Sequence, residues 1–163
     1  MSEITSQEAF KQALASLSIP NQRQVGARFI AHVLDLTENS GVKRAQEIAS
    51  KADVTAEELS AAYHVVHHVY VETHPRSDLA QLDWSKQAAH FVAEACLVCL
   101  APTYHEARIH HLAEKVAMYC GMARTCASIE HEGQYPNFER SEEMVKQEIQ
   151  AQYALLSDFL ENS

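Results

Sequence analysis

Apolar residues recur along this chain every three to four positions, in seven blocks separated by short polar or proline- and glycine-containing breaks. That period is the signature of amphipathic helices. Phe10, Ala13, Leu14 and Leu17 follow the capping box Thr5-x-x-Glu8 and predict a first helix ending near Ser18. Pro20 opens a second, with Val25, Phe29, Val33 and Leu36 on one face, His32 at the edge of that face, and Asn39-Ser40-Gly41 as its stop. Val42, Ala45, Ile48 and Ala49 form a short helix to Lys51. A tight turn and a second capping box, Thr55-x-x-Glu58, lead into a longer helix that Pro75 ends after His74. Its stripe is Leu59, Ala62, Tyr63, Val66, Val69 and Tyr70.

Trp84 to Leu100 turns Trp84, Ala88, Phe91, Ala95 and Val98 inward and has so few polar positions that it reads as the most buried helix. Residues 103 to 130 form a long helix with two stripes: Ile109, Leu112, Ala113, Val116 and Cys120 on one side, Tyr104, Met118, Met122 and Ile129 nearly opposite. A helix wetted on one side needs a single stripe, so the second predicts a homodimer interface, with Gly121 permitting close approach. His131 to Glu139 reads as an irregular aromatic loop over a cleft, and Ser141 to Glu161 as a last helix with Val145, Ile149, Leu156 and Phe159 inward and acidic residues outside. The pattern thus predicts a single all-α domain spanning residues 1–163, a bundle of six or seven helices.

Composition changes this picture in three ways. Only four glycines and four prolines in 163 residues leave little material for turns, which favours long helices. A formal charge of −9 opposes general binding to nucleic acid or anionic membrane, although ten histidines would cancel most of it in mild acid and make assembly pH-dependent. The longest apolar run, Ala95 to Pro102, is too short for a membrane span or signal core, so the expected location is cytoplasmic and the four cysteines are expected as thiols.

Ile48-Ala49-x-x-Ala52-Asp53-Val54-Thr55-x-x-x-Leu59-x-x-Ala62 resembles the helix-turn-helix of repressor families such as the tetracycline-repressor type. Asp53 stands where those families carry Gly, no Lys or Arg occurs between Lys51 and Arg76, and Glu57 and Glu58 would face phosphates. The corner at residues 48–62 is therefore read as a packing motif of a metal-free interaction or regulatory module, not a DNA reader.

Eight of the ten histidines fall between His64 and His111. Three consecutive helices carry ligand-type pairs at i,i+4, namely His64/His68, His90/Glu94 and His110/Glu114, each pair on one face one turn apart. Counting residues from the helix ends in an antiparallel bundle puts His90 level with His68 and Glu114, and Glu94 level with His64 and His110. The pairs are similar to the His-x-x-x-Glu and His-x-x-x-His pairs of hemerythrin-like bundles, which implies a core site for iron, manganese or zinc, serving oxygen or redox chemistry or metal sensing. Against this, His64 and His68 project opposite the Leu59/Val66/Tyr70 stripe, where solvent-facing residues belong.

Cys96-x-x-Cys99 resembles the redox pair of alkylhydroperoxidase-D-like helical proteins, which implies thiol peroxidase chemistry with His105 as the nearest following histidine. Pro102 intervenes, and buried apolar cysteines are the simpler account. Gly-rich phosphate loops and serine nucleophile elbows do not occur.

Overall fold

The computed structural model describes residues 3–74, 83–101, 111–132 and 135–162. Seven α-helices form among them: α1 (Gln7–Ala15), α2 (Ile19–Val33), α3 (Ser40–Ser50), α4 (Ala56–Glu72), α5 (Trp84–Leu100), α6 (Leu112–Ser128) and α7 (Ser141–Glu161). A 3-10 turn, Leu34–Leu36, extends α2. Residues 130–137 contain a short antiparallel pair where an irregular loop was expected, β1 (Glu130–Glu132) and β2 (Tyr135–Asn137), with Glu130 opposite Asn137.

Helices α1 to α5 start on side-chain caps, with two shifts from expectation, whereas α6 and α7 start without one. Thr55 and Glu58 close the anticipated capping box, Glu58 N donating to Thr55 Oγ1 at 3.1 Å and Thr55 N to Glu58 Oε2 at 3.2 Å. Ser6, not Thr5, caps α1 through Ala9 N. Asn39 does not stop α2 but starts α3, its Oδ1 accepting from Val42 N at 3.1 Å, because a side-chain oxygen there satisfies an otherwise orphaned amide.

The helices surround one continuous core. α2, α5 and α6 lie at its centre; α5 against α6 is the most extensive pairing, and α2 also meets α3 and α7. Close approach follows from residue size: α5 presents Ala93, Cys96 and Cys99, and α6 presents Ala113, Ala117 and Cys120, all buried. A Cβ on Gly26 of α2 would lie 3.4 Å from Cys99 Sγ and 3.5 Å from Val116. Phe29, Ile30 and Leu100 fill the larger spaces, each contributing about 2 kcal/mol on full burial. α1 is docked by Phe10, whose ring meets Phe29 at 5.8 Å and Tyr153 of α7 at 5.1 Å.

Buried polar side chains fix how these helices are set against one another. Arg23 of α2, itself buried, donates from one terminal nitrogen to Ala49 O and Lys51 O, both at 2.7 Å, at the C-terminal end of α3. Gln22 donates to Leu17 O and accepts from Ala113 N in the first turn of α6, where no helical partner exists. Gln46 bonds Ala27 O at 2.9 Å and Gln152 bonds Ala117 O at 3.0 Å. Among the described residues no buried side-chain nitrogen or oxygen lacks a partner.

Arg23→Met keeps a similar apolar stem but removes two charge-assisted bonds, and should lower unfolding free energy in urea by about 2–4 kcal/mol. A loss below about 0.5 kcal/mol would show that the guanidinium does not hold the α3 terminus.

Candidate functional site

α4 turns at about 100° per residue, so its buried Ala62 and Val66 define a face shared by Tyr70 and Thr73, whereas His64 and His68 lie some 160° away. Both of those histidines are exposed, and His68 Nε2 is held 3.1 Å from Glu72 on the same helix. His90 of α5 is instead 3% exposed and stacks on Tyr70 with ring centroids 4.5 Å apart. His74 lies 5.4 Å from it on another side, and Phe91 borders it at 6.3 Å. Thr73 Oγ1 lies 2.8 Å from Val69 O and 2.9 Å from His90 Nδ1, so the Thr73 hydroxyl ties the imidazole to the last turn of α4.

His90 therefore meets α4 through Tyr70 and Thr73, on the face away from the exposed His68.

Glu94 is half-buried one turn beyond His90. Glu114 sits at the start of α6, where it pairs with Lys11 at 3.5 Å and His111 at 3.6 Å. His110 lies outside the described residues, as does His105. Among the described residues, no group of three His, Cys, Asp or Glu side chains is placed to hold a metal ion. What forms instead is a ladder of rings down α4: Tyr63 to His67 at 6.0 Å, His67 to Tyr70 at 6.4 Å, Tyr70 to His74 at 5.9 Å.

The four thiols are buried and none is in a disulfide. Burial raises the pKa of Cys96 strongly and pushes Cys99 up to about 12, with Arg23 opposing the shift at Cys99. Cys99 donates its thiol proton to Arg23 O at 3.2 Å. Cys120 and Cys126 are also raised by burial. Thiolate, the reactive form, is scarce at neutral pH in such surroundings.

Comparisons with protein-family models, curated proteins and solved structures give no match. The arrangement has to be read from its own chemistry.

Two surface features remain. α6 carries Met118, Gly121, Met122 and Thr125 at i, i+3, i+4 and i+7 along a groove of about 930 Å³ completed by Val145 and Ile149 of α7. Met118 is 47% exposed, and Met122 and Ile149 are 38% exposed. Glu148 closes the floor, but its carboxylate faces inward: His32 Nδ1 donates to it at 3.0 Å and Arg124 Nε lies 3.6 Å away. Arg124 also forks onto both oxygens of Asp35 at 3.0 Å, and that hydrogen bond holds the Asp35 carboxyl below its usual pKa. Glu148 corrects the expected orientation of α7. Its inward residues are Glu148, Gln152, Tyr153, Leu156 and Phe159, while Ile149 stays on the surface.

The second feature is a groove of about 630 Å³ between α3 and α4, on the corner that resembled a helix-turn-helix.

Burial lowers the His90 pKa, and His74 adds a smaller push in the same direction. An unfolded chain titrates this imidazole near 6.5, so as pH falls the unfolded state takes up the proton first. Stability is intact above about pH 6.5 and declines below it until the folded-state pKa is reached. His90→Phe keeps a ring against Tyr70 and cannot titrate. Its urea midpoint should fall less than the wild type's between about pH 8 and pH 5, and equal falls would contradict the assignment.

Proposed function

We propose that this protein acts by binding other proteins, as an interaction or regulatory module that assembles as a homodimer through the outer face of α6. The observation that carries the reading is the exposed apolar strip formed by Met118 and Met122 of α6 with Ile149 of α7, on the outer side of a helix already buried against α2, α5 and α7. Large apolar side chains grouped this way on a surface mark contact sites, and flexible methionines fit an irregular facing surface. Gly121 lies between the two methionines, and a Cβ there would meet nothing within 4 Å, so a second helix can approach the backbone closely. Two copies of α6 crossing at Gly121 about a twofold axis would bring each Met pair into the other copy's groove, the isologous arrangement that closed dimers use.

Met118→Glu/Met122→Glu alters only exposed positions. It should convert the dimer to a monomer in sedimentation velocity with the helical circular dichroism unchanged. A wild type that stays monomeric at every attainable concentration would overturn the dimer.

A second reading, a transition-metal site for iron, manganese or zinc built from His64, His68, His90, Glu94, His110 and Glu114, is favoured by the proximity of His74 and His90 and by Glu94 one turn along α5. It predicts bound metal in untagged protein purified without added metal, and loss of that metal in His90→Ala/His110→Ala. Substoichiometric metal that the substitutions leave unchanged would remove it.

A further inference from the structure

The α3–α4 groove has a different character from the α6 strip. Its floor is apolar: Ile48 of α3 and Ala61 and Val65 of α4, with Val65 50% exposed. One end is narrow because α3 begins against α4 there; a Cβ on Gly41 would come within 3.0 Å of Val65 Cγ1. Its rim carries Lys43, Arg44 and Lys51, all exposed and none in an ion pair with a described residue. Two carboxylates also line it. Glu58 is engaged by its capping bond to Thr55 N, and Glu47 lies on the exposed side of α3. The lining thus sums to +1, from three cations and two carboxylates, on a chain whose total is −9.

A local cationic rim above an apolar trough on an otherwise acidic protein specifies an occupant with the opposite pattern. We infer that the α3–α4 groove docks an acidic amphipathic helix of a partner protein, its apolar residues at i, i+3, i+4 and i+7 against Ile48, Ala61 and Val65 and its flanking carboxylates on Lys43, Arg44 and Lys51. Two side-by-side helices make the trough that helix-in-groove recognition uses. The three rim cations repel a basic helix at the groove, while the negative charge of the rest of the chain opposes anionic polymers long enough to extend past it, so the rim confers selectivity as well as attraction. Duplex nucleic acid fits less well, since Glu57 and Glu58 stand at the start of α4, where a reading helix would approach phosphates. The inference supplies a partner class for the interaction-module reading but not through the dimer face, so each can fail alone.

The test is fluorescence anisotropy on the full chain with a labelled, stapled helical peptide of Leu, Ala and Glu in that spacing, beside a counterpart with Lys for every Glu. Saturable binding of the Glu peptide only is expected. Lys43→Glu/Arg44→Glu and, separately, Val65→Glu should weaken it more than about tenfold. All three positions are exposed, and circular dichroism verifies that the variants fold. Met118→Glu/Met122→Glu should bind the peptide as the wild type does, whatever its oligomeric state. Absence of saturable binding, equal binding by the charge-reversed variant, or displacement by duplex DNA at matched charge would each overturn the inference.

Discussion

The architecture depends on one constraint: three helices packed through small residues bring backbone polar groups into a region without water, and α2 supplies the side chains that answer them. Arg23 closes the carbonyls at the end of α3, and Gln22 caps an amide in the first turn of α6. An unanswered buried carbonyl or amide costs about 1–3 kcal/mol, so these bonds select one relative setting of the helices over others with equally good apolar contact. The position of the α3–α4 corner follows, because Arg23 grips the carbonyls of Ala49 and Lys51 that flank it. So does the depth of His90, whose helix α5 is drawn against α2 by Cys99 and Gly26.

Periodicity made the helices legible. All seven arise where apolar residues recur at three and four, and the Thr55/Glu58 capping box forms as read. Periodicity fails where a polar residue is buried. Glu148 falls on the α7 face that packs inward, yet a carboxylate in a sequence reads as solvent-facing, and its neighbours Val145 and Ile149 drew the inferred face round by one position. Its partners, His32 and Arg124, lie far away in the chain, so no local signal marks it. Asn39-Ser40-Gly41 was ambiguous for another reason: the same residue types stop one helix and cap the next, and here Asn39 caps.

The histidine-rich stretch shows how far spacing carries an argument about a site. Pairs at i,i+4 place two side chains on one face of a helix but do not say which face. On α4 the stripe through Val66 and Tyr70 was already written in the sequence, and His90 meets it at Tyr70 and at the C-cap Thr73 just beyond it; His64 and His68 lie across the helix from it. His67 and His74, which carry no i,i+4 ligand partner of the expected kind, enter the ring ladder because aromatic faces stack along a helix at steps of three and four. The surface divides the remaining features by chemistry: an apolar methionine strip on α6, the proposed dimer face, and a cation-rimmed trough on α3–α4, the proposed dock for an acidic helix.

The reading of this protein as a self-associating module stands most directly on what covers Met118 and Met122. Methyl-carbon NMR of ¹³C-methionine-labelled protein, recorded over a dilution series with a soluble gadolinium chelate, observes those two side chains separately from Met144. The account predicts that both methyls shift and become shielded from the chelate as concentration rises, while Met144 does not change. Methyl signals from Met118 and Met122 that stay broadened by the chelate, with shifts independent of concentration, would contradict it.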